Sequence, residues 1–158
     1  MLKISDSGWA TISLKGKEVC DVSYVTDIPN DFLEGFIALL SKKTYYNGVV
    51  ITAHLEPSNF YLVLSRGFFE SNNYYEITAC DSRFKTQRVD LGDVDYIKMA
   101  NELIVDIESD LEDWAGFSSS TLGTTQEEVW EKLLINKDKL LKNIEKLKAA
   151  IDFAEGNR

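Results

Sequence analysis

The sequence predicts an α+β fold: an antiparallel sheet of five to six strands, one helix after the first hairpin, and two C-terminal helices. Three observations lead there. Up to about residue 91, apolar residues alternate with period two in short runs, as in half-buried strands. The runs from Val49 onward are joined by links of four to nine residues, too short for parallel crossovers. From Asp95 the apolar spacing becomes helical, in two long stretches. With 158 residues, 44% hydrophobic and 11% aromatic, the chain can bury one globular core.

Trp9-Ala10-Thr11-Ile12-Ser13-Leu14 alternates, Gly16 turns the chain, and residues 18–25 alternate again with Cys20, Val22 and Tyr24 on one side. Two such runs around a glycine turn form a hairpin. A helix should follow, with Asp27 as its N-cap and Pro29 in the first turn, where a missing N–H costs nothing. Phe32, Leu33, Phe36, Ile37 and Leu40 make its buried stripe, and Lys42 and Lys43 suit its C-terminal end. Gly35 inside that helix costs about 1 kcal/mol relative to Ala, which implies close packing there. Residues 49–55, 60–64, 74–80 and a short edge run at 87–91 continue as a meander. Phe60-Tyr61-Leu62-Val63-Leu64 is apolar on both faces, as a central strand is.

Residues 95–114 give the cleanest helical pattern. Tyr96, Ile97, Ala100, Leu103, Ile104, Ile107, Leu111 and Trp114 share an arc of about 120° at helical spacing. Asp95, Glu102, Asp106, Asp110 and Asp113 fall opposite, with Glu108 and Glu112 flanking. Residues 116–123, including Ser118-Ser119-Ser120, read as a flexible link, and Thr124-Thr125-Gln126-Glu127 as a capping box. The last helix is lined by Trp130, Leu133, Leu134, Leu140, Leu141, Ile144, Leu147, Ile151 and Ala154. Asn136-Lys137-Asp138 interrupts that stripe, where a kink or split is expected. The expected division is an α+β domain over 1–115, the link at 116–123, and a C-terminal helix over 124–158 packed on the same domain.

The net charge of −9 is local. Residues 90–113 carry nine carboxylates against one base, Lys98, while the segments on either side are close to neutral. Such a patch repels nucleic acid and anionic membrane and attracts a basic partner. A 20-residue helix is about 30 Å long, so seven carboxylates along it give about one charge per 4 Å. One strand of duplex DNA carries roughly one per 3.4 Å. An inhibitor that occupies a basic, nucleic-acid-processing site is one reading, and a solvated, solubilising face is the other. Like charges at i, i+4 oppose the helix by about 0.2–0.5 kcal/mol per pair, so a merely solubilising face would mix in lysines.

Other features are weaker. Tyr45, Tyr46, Tyr61, Tyr74, Tyr75 and Phe68-Phe69 cluster near strand ends, and such rigid amphipathic rings serve both cores and contacts. His54 shares a strand face with Thr52 and Glu56, two ligands where zinc normally uses three or four. No GxGxxG, P-loop, CxxC or GxSxG motif occurs, so neither cofactor, metal nor catalysis is expected. Cys20 and Cys80 read as small thiols in strands. No basic-then-apolar leader follows Lys3, and no apolar run nears the roughly 20 residues of a spanning helix, so a cytoplasmic protein is expected. The seam at Ile144, Leu147, Ile151 and Ala154 suits packing within the chain or against a second subunit.

Over residues 8–81 the chain resembles small acidic immunity proteins, which protect bacteria from polymorphic or contact-dependent toxins, many of them nucleases. The likeness lies in the Trp9 hairpin, Asp27-Ile28-Pro29-Asn30-Asp31-Phe32-Leu33, Glu56-Pro57 and the run from Phe60 to Leu64. It implies a non-enzymatic, cytoplasmic inhibitor of one cognate toxin domain. The likeness does not extend to the helix from Thr124, and toxin-facing residues do not carry over, because such proteins differ in fold. From the residues themselves, the expected partner contacts are Glu102, Asp106, Asp110 and Asp113, with Tyr74 and Tyr75. The protein would be a monomer or weak homodimer binding a basic protein, with no direct nucleic-acid contact. Rival expectations are a homo-oligomeric adaptor assembled through the last helix, and a small enzyme or metal domain at His54 and Glu56.

Overall fold

A computed structural model of the chain describes residues 1–6, 8–41, 47–55, 58–66, 73–80, 83–117 and 125–156. Of residues 6, 47, 66, 73–80, 83 and 84 it describes the backbone alone. The fold is α+β with antiparallel sheets, as the alternation predicts, but the strands form two sheets and not one. The first contains β1 (Leu2–Asp6), β2 (Trp9–Leu14) and β3 (Lys17–Ser23) in that order. Helix α1 (Ile28–Leu40) follows. The second sheet is the meander β4 (Asn47–His54), β5 (Ser58–Arg66), β6 (Asn73–Cys80) and β7 (Arg83–Asp90). Three helices complete the described chain: α2 (Tyr96–Ser109), α3 (Leu111–Phe117) and α4 (Gln126–Glu155).

Each departure from expectation has a specific cause. Strand β1 holds only two apolar residues in alternation, Leu2 and Ile4, which pair with Ile12 and Ala10. So short a pattern carries little signal by itself. The helix expected over 95–114 is two helices, because Asp110 leaves helical geometry (φ −130°, ψ 38°). The break re-aims the chain so that Trp114, Ala115 and Phe117 are buried, with the two rings edge to face at 5.3 Å. Asp27 makes no side-chain cap bond; its carboxylate accepts instead from Asn30 Nδ2 and Lys139 Nζ. The capping box lies one residue later than expected. Thr125 Oγ1 accepts from the Glu128 N–H at 3.2 Å, and Glu128 Oε2 accepts from the Thr125 N–H at 3.1 Å. Thr-Thr-Gln-Glu-Glu contains the spacing twice, and the second copy is used. Helix α4 runs unbroken through Asn136, whose amide donates to the Ala115 carbonyl at 3.2 Å. The polar interruption thus docks α3 and does not kink the helix.

The core is built around α1. Phe32, Leu33, Phe36 and Leu39 are fully buried, and the helix lies on β4 on one side and on α4 on the other. Strand β5, apolar on both faces, is an interior strand between β4 and β6, with Phe60, Leu62 and Leu64 buried. Helix α4 buries Leu140, Ile144, Leu147, Ile151 and Ala154 among α1, α2 and α3. The seam that could have met a second subunit is therefore spent inside the chain. Lys42, Lys43 and residues 118–124 lie outside the described residues. Among the described residues no helix is long and apolar enough to cross a membrane.

Gly35 carries the close packing its position implies. A Cβ there would sit 2.6 Å from Ile51 Cγ1 and 2.7 Å from Ile51 Cδ1. Gly35→Ala should therefore destabilise the protein by about 1–3 kcal/mol through overpacking, despite a helix-propensity gain of about 1 kcal/mol. Urea unfolding of Gly35→Ala, Ile51→Ala and the double variant tests this. The double variant should lose less than the sum of the singles; strict additivity would show that the contact is not shared.

Candidate functional site

Helix α2 is fixed to both sheets at its start. The Tyr96 hydroxyl donates to the Ser65 carbonyl of β5, and Lys15, in the β2–β3 turn, donates to the Leu91 carbonyl. Asp95 caps the helix, accepting from the Ile97 and Lys98 N–H groups at 3.0 and 3.1 Å. Ile97, Met99, Ala100, Leu103, Ile104 and Ile107 face the core, which turns Glu102, Val105 and Glu108 to solvent.

The row of seven carboxylates expected on this face does not exist as a continuous charge. Asp95 is spent on the cap. Asp106 is only half exposed and accepts from the Met1 amino group and, at 3.0 Å, from the Leu2 N–H. It ties α2 to β1, so this expected partner contact also has a structural role. Glu108 pairs with Lys148 at 2.8 Å, and Glu112 pairs with Lys137, both lysines coming from α4. The hydrogen bond that Lys148 donates to Glu108 raises the Lys148 pKa and outweighs desolvation, with the charges of Glu108 and Glu145 adding to the rise. Three expected contacts remain on the surface: Glu102, Asp110 and Asp113 are exposed. Among the described residues Glu102 pairs with Lys98 at 3.9 Å one turn back, an exposed i, i+4 pair worth a few tenths of a kcal/mol. Tyr74 and Tyr75 lie on β6, in register with Leu62 and Tyr61 on one side and Val89 and Arg88 on the other. Their side chains are outside the described residues.

His54 is engaged within its hairpin. Its Nδ1 lies 2.7 Å from Asn59 Oδ1, and its backbone N–H donates to Thr26 Oγ1 at 3.0 Å. Glu56, the expected companion, lies outside the described residues. Among the described residues no three His, Cys, Asp or Glu side chains are grouped to hold a metal. Cys20 and Cys80 sit on strands of different sheets.

A second site was not anticipated. Between α1 and β4 lies an open cleft of about 420 Å³ lined by Thr26, Asp31, Glu34, Gly35, Val50, Ile51, Thr52 and His54. Burial, and then the charges of Asp27 and Glu34, push the Asp31 carboxyl up to about 6, against the opposing pull of Lys139 and His54. A polar network backs the cleft. Buried Asn143 of α4 donates to Asn30 Oδ1 at 2.9 Å and to Glu34 Oε1 at 3.3 Å, and Asn30 donates to Asp27 at 3.1 Å. Lys139 reaches Asp27 at 2.9 Å. Burial lowers the Lys139 pKa, but the bond to Asp27 and the neighbouring carboxylates outweigh it and leave the ammonium raised. Asp27, Asp31 and Glu34 recur at four and three residues, one face of a helix. That spacing is the signal of the cleft that the sequence carries. A carboxyl titrating near neutrality can hold a proton or a cationic group.

No protein-family model, curated protein or solved structure matches the chain.

Two predictions follow from these placements. A carboxyl with a raised folded-state pKa destabilises the fold where it is ionised, above about pH 6. That cost fades as pH falls through 6 and is gone below the unfolded value of 3.8. Asp31→Asn should thus be more stable than the parent at pH 7–8, by on the order of 1–2 kcal/mol once solvent screening of a half-exposed group is allowed for. The two proteins should converge near pH 4; equal melting temperatures at neutral pH would refute the cause. Asp106→Ala should lower stability by about 1–2 kcal/mol, whereas Asp110→Ala should stay within about 0.5 kcal/mol. Denaturant titration of both variants checks the division between structural and surface carboxylates.

Proposed function

We propose that this chain is a non-enzymatic acidic binding protein that captures a basic protein partner. In its most specific form the proposal is an immunity protein neutralising a nuclease-type toxin domain in the cytoplasm. The observation that carries it is the division of acids on α2 and α3. Asp106, Glu108 and Glu112 are paired with cationic groups from elsewhere in the chain, whereas exposed Glu102 meets Lys98 one turn back, and Asp110 and Asp113 are exposed on the α2–α3 ridge. Among the described residues, Asp110 and Asp113 have no cation within ion-pair distance. The chain's overall charge of −9 adds a long-range attraction for a cationic surface.

Magnitudes set what the ridge can contribute. Each exposed ion pair is worth roughly 0.2–1 kcal/mol, so three give at most about 3 kcal/mol. A nanomolar complex requires about 12 kcal/mol. The carboxylates therefore steer and orient the partner, and desolvated apolar groups must supply most of the affinity. Tyr74 and Tyr75 remain candidates for that role.

Charge reversal separates capture from solubility. With host lysate at about 0.05 M salt, the parent should retain a basic protein that about 0.5 M salt releases. Asp110→Lys/Asp113→Lys should bind it at least tenfold more slowly, with a flatter salt dependence. Equal capture by parent and reversed variant would remove the ridge from the binding surface.

A further inference from the structure

We infer that the open edge of β4 docks an extended segment of the partner bearing lysine or arginine, added as a further strand; this rests on the capture of a basic protein proposed above. Strand β4 is an outer strand of its sheet, with β5 on one side. The Leu55 N–H donates to the Ser58 carbonyl at 2.7 Å, which fixes Ala53, Ile51 and Val49 as residues whose backbone groups face β5. Gly48, Val50, Thr52 and His54 therefore turn their N–H and C=O groups to the outer edge. The His54 N–H meets Thr26 Oγ1 there at 3.0 Å. Among the described residues, the outward backbone groups of Gly48, Val50 and Thr52 have no partner. The other outer strand, β7, carries Arg83, Lys85 and Arg88, charges of the kind that keep strands from pairing edge to edge. Residues 48–53 of β4 have no charge and no proline, and Val50 is 58% exposed.

The cleft of about 420 Å³ follows this edge, since Val50, Thr52 and His54 line it together with Asp31 and Glu34 of α1. Its charge identifies the occupant. Two carboxylates line the cleft and no lysine or arginine does. Among the described residues neither Asp31 nor Glu34 has a cation within ion-pair distance. Lys139 of α4 is bound to Asp27, and Lys146 to the Asn143 amide oxygen. An added strand alternates its side chains across the sheet, so every second residue falls on the α1 side, beside Asp31 and Glu34. A cation there offsets the burial and the like charges of Asp27 and Glu34 that raise the Asp31 pKa. Main-chain bonds along the edge supply affinity, and the alternate basic side chains supply specificity. A second copy of this chain fits poorly. Antiparallel pairing of two β4 edges places both α1 helices on one face of the joined sheet. Asp31 and Glu34 of one copy would then face the same residues of the other, an unfavourable meeting of like charges.

Three short synthetic peptides serve as probes: one alternating lysine and threonine, the same sequence N-methylated at every residue, and a version with glutamate in place of lysine. Calorimetry should show the parent binding the lysine peptide at least tenfold more tightly than either of the others. In that complex the Val50 and Thr52 amide protons should exchange at least tenfold more slowly than in the free protein. Val50→Pro removes an outward N–H and leaves the β4–β5 ladder intact, so it should abolish the margin over the N-methylated peptide. Asp31→Asn/Glu34→Gln should abolish the margin over the glutamate peptide and keep the other. Should Val50→Pro fail to fold, the N-methylated peptide and the exchange measurement test the edge on the parent alone. Equal binding of the methylated and unmodified lysine peptides, or unchanged exchange at Val50 and Thr52, overturns the inference. So does binding of none of the three. In each case, lysate capture that Asp110→Lys/Asp113→Lys weakens would leave the acidic binding role standing, and loss of that capture would remove both readings. If the parent sediments as a dimer that Val50→Pro dissolves, the occupant is a second copy and the inference is overturned.

Discussion

At Gly35 the backbone of α1 comes close enough to β4 that Ile51 fills the space a side chain would take. The placement of every later element depends on that approach. With one side of α1 pressed to the sheet, its other side is left for α4. Buried Asn143, bonded to Asn30 and Glu34, sets the register in which α4 lies there. A buried amide pair contributes little net stability but penalises any sliding that would leave its groups unsatisfied. The register in turn decides which lysines of α4 reach the acids of α2 and α3.

That geometry changes the meaning of the acidic run. In sequence, residues 90–113 look uncompensated; in space, Lys137 and Lys148 cross from a segment that is itself close to neutral. Exposed pairs of this kind are worth less than about 1 kcal/mol each. Their larger effect is to fix which carboxylates face the chain and which face solvent. Asp31 shows the opposite treatment, a half-buried carboxyl held beside two like charges. Trp114 is a further expense: among the described residues its buried Nε1 has no acceptor. Burying the ring against Phe117 outweighs a lost bond of about 1–3 kcal/mol.

Most elements could be read from the sequence because each carries its own periodic pattern. The β2–β3 hairpin, α1, the meander and α4 fall within a few residues of where alternation and helical spacing place them. Gly35 was legible as a packing point because a helix tolerates an interior glycine only for a reason. Other features depend on partners distant in sequence. The split at Asp110 follows from how Trp114 and Phe117 pack, and no local residue announces it. Asp106 looks like its neighbours until β1, with too few apolar residues to recognise, delivers the Leu2 N–H to it. The cleft at Asp31 needs β4 beside α1, so periodicity within α1 alone could show its carboxylates but not their surroundings.

Helix α4 is about 45 Å long at 1.5 Å per residue, yet it is anchored unevenly. From Leu140 onward a buried residue recurs at nearly every turn, whereas before it the described ties are fewer: half-buried Leu133, Asn136 to α3, and the ion pairs of Lys137 and Lys139. Opening the first three turns exposes little apolar surface that is not already wet, while opening the last four disrupts the core. Backbone amides along one continuous rod should accordingly exchange with solvent over very different free energies, from near zero at its beginning to that of global unfolding at its end.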